Sequence, residues 1–334
     1  MENGDVRYRS VLSSVGWALV ILWGLMQAFS ALVVLLEILL TVLPISSVAA
    51  DVIYELFYGA GYLATFMLPV LFLKRILRGK GIRAQVMPLS PSVSLKLPLL
   101  VLAGVALCFS AANVNSLFME MIRYSEFTSE VILGAEVEMA PHTVVLSFIT
   151  VAVVPAFCEE FLFRGAILEN LLPFGRTRAI LISAFLFALM HQNAGQLLYT
   201  FVAGVVLGAI CAYTKSIWSG VIVHLINNFI SVLQDVIYAR LGSSVAGSSA
   251  ILLMDCAIYA LGAISLCVLI LGAIGRKRES AVVFGQTLPS RFCTDGTRGR
   301  ISDVFVPSVV LYTVLCGVQI ALLIVLAMMG GILL

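Results

Sequence analysis

Glu159 and Glu160 stand side by side near the end of an apolar run, Phe157-Cys158-Glu159-Glu160-Phe161-Leu162-Phe163-Arg164. Two imidazoles lie in equally apolar surroundings. His191 follows Phe185-Leu186-Phe187-Ala188-Leu189-Met190, and His224 opens Val223-His224-Leu225-Ile226-Asn227-Asn228. An ionisable side chain within hydrocarbon is costly unless it faces the bundle interior and has a partner. On a helix, Glu160 and Arg164 share a face and can pair, whereas Glu159 points about 100° away at 3.6 residues per turn. The spacing therefore predicts a division of labour: Arg164 holds Glu160, and Glu159 is left to face a cavity. By the same one-turn spacing Phe187 walls the His191 ring, and His224 shares a face with Asn228.

Together these are the parts hydrolysis needs: a carboxylate to activate water, imidazoles to bind a metal or move protons, and an amide to donate to an oxyanion. Glu159, His191 and His224 with one open position also make a zinc set, although no His-Glu-x-x-His motif is present. The plainer alternatives are interfacial, solvated glutamates and hydrogen-bonded core histidines. What favours a site is the concurrence of all four groups on three helices. His142, after Pro141, reads as a local structural residue.

The elements that must position these groups are membrane helices. Of 334 residues, 61% are hydrophobic and 11% charged, against about 25% charged in soluble domains, and the mean hydropathy is +1.09. A net charge of +2 gives no footing for nucleic acid. The seven cysteines are scattered, without a Cys-x-x-Cys pair, and read as free thiols. A span needs ~20 apolar residues, and runs of that kind fall at 14–43, 53–73, 97–119, 143–163, 179–195, 197–214, 217–235, 251–275 and 304–333. The fold class expected is therefore an all-α, polytopic transmembrane bundle of about nine spans, forming one integral membrane domain over 1–334. Its core helices lie within 143–235, and 276–303 reads as a flexible cytoplasmic loop.

Alternating the loops from a cytoplasmic N-terminus puts all of the twenty basic residues inside except Arg123 and Arg240. The acidic stretch 120–138 then falls outside. Arg7 and Arg9 before a long apolar run read as a retained signal anchor. In this topology Glu159 lies about one turn from the cytoplasmic Arg164, so the cavity is expected to open toward the cytoplasm with its floor near mid-bilayer.

Glu159-Glu160-x-x-x-Arg164, Phe187-x-x-x-His191 and His224-x-x-x-Asn228, in that order, resemble the CAAX protease and bacteriocin-processing (Abi, CPBP) family of intramembrane endopeptidases. Phe163-Arg164-Gly165 and Lys215-Ser216-Ile217-Trp218 resemble it as well, so the likeness covers about 150–232. The resemblance implies a catalytic set of Glu159 as general base, His191 as its assistant, and His224 and Asn228 as oxyanion donors, with Glu160 and Arg164 in support. It leaves two mechanisms open, a zinc enzyme with Glu159, His191 and His224 on the metal, or a metal-free glutamate protease. The partners it implies are the bilayer and a membrane-associated peptide, either a prenylated CAAX peptide or a leader peptide. Short loops and the lack of eukaryotic targeting signals point to a prokaryotic plasma membrane. The competing functions are a non-catalytic immunity or scaffold protein and a secondary transporter. A transporter calls for matched repeats in two halves, which the sequence lacks.

Overall fold

The computed structural model describes residues 2–89, 96–121, 141–242, 244–280 and 304–330, and among them there is no strand. Nine helical elements follow in order: α1 Glu2–Val42, α2 Ser47–Gly79, α3 Leu97–Met121, α4 over 141–171, α5 Arg176–Met190, α6 Leu197–Thr214, α7 Ile217–Leu241, α8 Val245–Ser280 and α9 Pro307–Gly330. Eight of these are long and apolar enough to cross a membrane, and the chain is an integral, multi-pass membrane protein. The exception is α5. Its 15 residues reach about 22 Å at 1.5 Å per residue, and the run expected at 179–195 breaks at His191. There Gln192 takes a positive φ of 50° and ends the helix. The expected 276–303 loop begins later than the sequence suggested, because α8 continues to Ser280. Residues 281–303 and most of the acidic stretch 120–138 lie outside the described residues.

Helices α2, α4, α5, α6 and α7 surround the polar residues, with α1 and α9 against one flank and α3 and α8 against the other. Two apolar cores lie on either side of the site. One joins the N-terminal half of α1 (Leu12, Val15, Leu19, Leu22) to Leu162, Phe163 and Phe187, and the other joins α3 to Leu207 and Val223. The second half of α1 is exposed apolar surface, as at Leu35 and Ile38, which a bilayer would cover.

Helix α4 is irregular on both sides of Glu159 and Glu160. A π-helical stretch over Phe148–Val153 precedes the α-helical turns Val154–Glu160, and a second follows over Phe161–Leu168. Such widened turns cluster at functional sites. Pro155 contributes a local cause, since it has no N–H to give to the carbonyl of Val151 four residues back. Asn228 of α7 takes that place, its Nδ2 donating to the Val151 oxygen at 3.1 Å.

Two further acids within the apolar runs have local partners. Asp255 accepts a hydrogen bond from Gln234 Nε2 at 3.1 Å. Glu37 is hydrogen-bonded with Tyr54 and lines an apolar groove between α1 and α2.

Candidate active site

Glu160 and Arg164 are both fully buried. Arg164 Nη1 donates to Glu160 Oε1 at 2.7 Å, and Nη2 donates to the Gly204 carbonyl on α6 at 3.3 Å. The guanidinium carbon lies 4.2 Å from the centre of the Phe187 ring, a cation–π contact. A buried charge pair of this kind is costly unless its remaining hydrogen-bonding capacity is met as well. The Gly204 carbonyl and the Phe187 ring meet part of it, while Glu160 Oε2 and Arg164 Nε have no hydrogen-bond partner among the described residues.

Glycines make the close approaches possible. A Cβ on Gly220 of α7 would lie 2.6 Å from both Glu160 Oε2 and Cys211 Sγ, and one on Gly204 would lie 2.9 Å from Ala184 Cα. Gly220→Ala is accordingly expected to destabilise the fold by about 1–3 kcal/mol, the usual cost of overfilling a close-packed interior. A thermal unfolding midpoint in detergent equal to that of the wild type would contradict this.

Glu159 points elsewhere, as its position on the helix predicts. It is 5% exposed and lines a cavity of about 430 Å³ together with His191, His224, Asn228, Tyr62 and Tyr199. Its Oε1 accepts from the Tyr62 hydroxyl at 2.5 Å. Its Oε2 has no hydrogen-bond partner among the described residues and faces His191 Nε2 across 4.0 Å. His191 Nδ1 lies 3.0 Å from the Phe187 carbonyl. A carbonyl only accepts, so Nδ1 carries the proton and, in the neutral ring, Nε2 offers a lone pair. The Phe187 ring stands edge-on to both imidazoles, 4.8 Å from His191 and 6.1 Å from His224.

His224 is turned toward the supporting pair, with Nδ1 3.1 Å from Glu160 Oε1. A carboxylate accepts, so Nδ1–H donates, and Nε2 can donate into the cavity only when the ring holds both protons. Asn228 has one amide N–H on Val151 and a second to offer. The structure thus gathers Glu159, His191, His224 and Asn228 around one cavity, with Glu160 and Arg164 behind it.

For the zinc set of Glu159, His191 and His224, no three His, Cys, Asp or Glu side chains among the described residues converge to hold a metal.

Residues 81–89 pack against the ends of α4 and α7 that lie beside the basic residues. Met87 N–H donates to the Gly165 carbonyl at 2.9 Å, Asn170 exchanges hydrogen bonds with both backbone groups of Gln85, and Trp218 Nε1 donates to the Leu89 carbonyl. The exposed wall of the cavity is at Val151 and Ser231, toward the other ends of α4 and α7.

Two contributors were missed in the sequence. Gly220 leaves no composition signal. Tyr62 does leave one, the i, i+4 stripe Tyr54-Tyr58-Tyr62-Phe66 on α2, whose rings stack in succession.

No curated protein and no solved structure matches the chain. A family does: the Rce1-like type II CAAX prenyl endopeptidases, whose family model matches residues 141–230, the stretch that carries all six site residues and bears out the resemblance to the CAAX protease family.

Proposed function

We propose that this protein is an intramembrane endopeptidase that hydrolyses a peptide bond of a membrane-associated peptide with water activated by Glu159. The observation that carries the reading is the buried, unpartnered Oε2 of Glu159, 4.0 Å from His191 Nε2 within the cavity. Both atoms are acceptors, so a water that bridges them, about 2.8 Å from each, would give one O–H to the carboxylate and the other to the imidazole.

As that water attacks the scissile carbonyl carbon, Glu159 takes its proton. The carbonyl π electrons move to oxygen, and the second N–H of Asn228 and the His224 ring stabilise the oxyanion. Collapse of the tetrahedral intermediate breaks the C–N bond, and the proton on Glu159 passes to the leaving nitrogen. The products are a carboxylic acid and an amine, and Glu159 returns to its starting form. Because the zinc donors do not converge, no step is assigned to a metal.

The orientation that suits the loops has the basic helix ends in the cytoplasm of a prokaryotic cell. The substrate is then either a prenylated CAAX peptide or a leader peptide. The test is cleavage by the purified protein in liposomes of two probes, a farnesylated CAAX peptide and a hydrophobic leader peptide, each with and without chelator. Cut product from at least one probe, undiminished by chelator, is the expected result. Failure to cut either probe would overturn the proteolytic reading in favour of a non-catalytic membrane protein. Cleavage abolished by chelator and restored by zinc would overturn the metal-free mechanism.

A further inference from the structure

Among the groups that touch Glu159, one lies outside the stretch that the family model matches. Tyr62 comes from α2, and its hydroxyl donates to Glu159 Oε1 at 2.5 Å. This contact sorts the two carboxylate oxygens. Oε1 is occupied, and Oε2, buried and without a hydrogen-bond partner among the described residues, faces the cavity and His191. A carboxylate on a flexible glutamate stem has no inherent reason to present one oxygen over the other. Here a single hydroxyl supplies that reason.

The hydroxyl is itself held firmly. The Tyr62 ring stacks on Phe66, centroids 4.7 Å apart and 19° from parallel, and on Tyr58, 5.9 Å apart and 29° from parallel. The ring also forms a wall common to the catalytic cavity and to the apolar groove of about 260 Å³ between α1 and α2. Closely packed rings with only two side-chain torsions lose little freedom when they fix a hydrogen bond. Gly61, next in the chain, leaves room for Phe29 of α1 to lie against α2, since a Cβ there would come within 2.1 Å of that ring.

We infer that Tyr62 is a positioning residue for the hydrolytic step: it fixes the Glu159 rotamer so that Oε2 meets the attacking water. The inference rests on the proteolytic reading above. Orienting a reacting group affects the rate of the chemical step more than substrate binding. The Tyr62 hydroxyl touches Glu159, and the ring that shapes the cavity survives the change to phenylalanine.

The test compares steady-state cleavage by the full-length wild type, Tyr62→Phe, Tyr54→Phe and Glu159→Gln in the same liposomes, with thermal unfolding recorded for each. Tyr54 belongs to the same aromatic stripe but does not line the catalytic cavity. The expected result for Tyr62→Phe is a fall in kcat of about tenfold or more and a KM within twofold of the wild type, with Tyr54→Phe cutting normally. The lost hydrogen bond to a buried carboxylate lowers the unfolding midpoint, so kinetics are compared well below it. A merely structural role would move KM and kcat together, and that pattern would overturn the inference. Normal kcat in Tyr62→Phe beside an inactive Glu159→Gln would overturn the inference alone. A wild type that cuts nothing, or a fully active Glu159→Gln, would overturn the proteolytic reading and this assignment with it.

Discussion

Glu159→Gln is expected to lower kcat by about 10²–10⁴-fold, the range that a positioned general base supplies, while KM changes little. The amide is nearly isosteric, and its oxygen can still accept from the Tyr62 hydroxyl, as Oε1 does now. Its NH₂ group then occupies the place of Oε2, 4.0 Å from His191 Nε2. An acceptor has become a donor, so the water is turned away at the atom that should take its proton. Because the substitution also removes a buried charge, the thermal midpoint should not fall. Full cleavage by a well-folded Glu159→Gln would sink the assignment of Glu159 as the base.

Arg164→Met is expected to act on stability, lowering it by about 3–5 kcal/mol, as breaking one side of a buried pair does. Glu160 would lose the 2.7 Å contact at Oε1 and keep only the His224 proton at 3.1 Å. The Gly204 carbonyl would lose its side-chain donor, and the Phe187 ring its cation. Removing the orphaned charge should undo much of the damage, so the double variant Arg164→Met/Glu160→Gln is expected to unfold later than Arg164→Met alone. With the Glu160→Gln single variant completing the cycle, the pair is isolated from the cavity each change leaves. If the losses of the two single variants simply add in the double, the pair contributes no coupling and its supporting role is wrong.

The helices and the polar residues within them were legible in the sequence because both follow from one cost, that of placing backbone and charge in hydrocarbon. Hydropathy located the apolar runs, and the exceptions in those runs became Glu159, Glu160, His191 and His224. The close contact of Glu160 with Arg164 needed only helical periodicity. What was not legible depends on tertiary placement. The hydrogen bond from Asn228 of α7 to the Val151 carbonyl, to which Pro155 has no N–H to offer, is a contact between helices that periodicity does not show. Tyr62 is one of ten tyrosines, and in an apolar helix a tyrosine reads first as an interfacial ring. Its meaning appears only when α2 is seen against α4. Residues 81–89 look like an ordinary loop until Met87 is found paired with Gly165.

The short α5 also bears on the surrounding lipid. Starting from Arg176 it extends about 22 Å, whereas a typical hydrocarbon core is about 30 Å thick. The turn after it, with Gln192, Asn193 and Gln196, therefore ends below the far surface, beside the histidine that would share the attacking water. A bilayer meets such a shortfall by thinning or by letting water dip inward, and either brings solvent toward His191 without a pore. Acyl chain length then becomes a variable of the site: short lipids match the dip and keep it wet, while long ones press hydrocarbon over it.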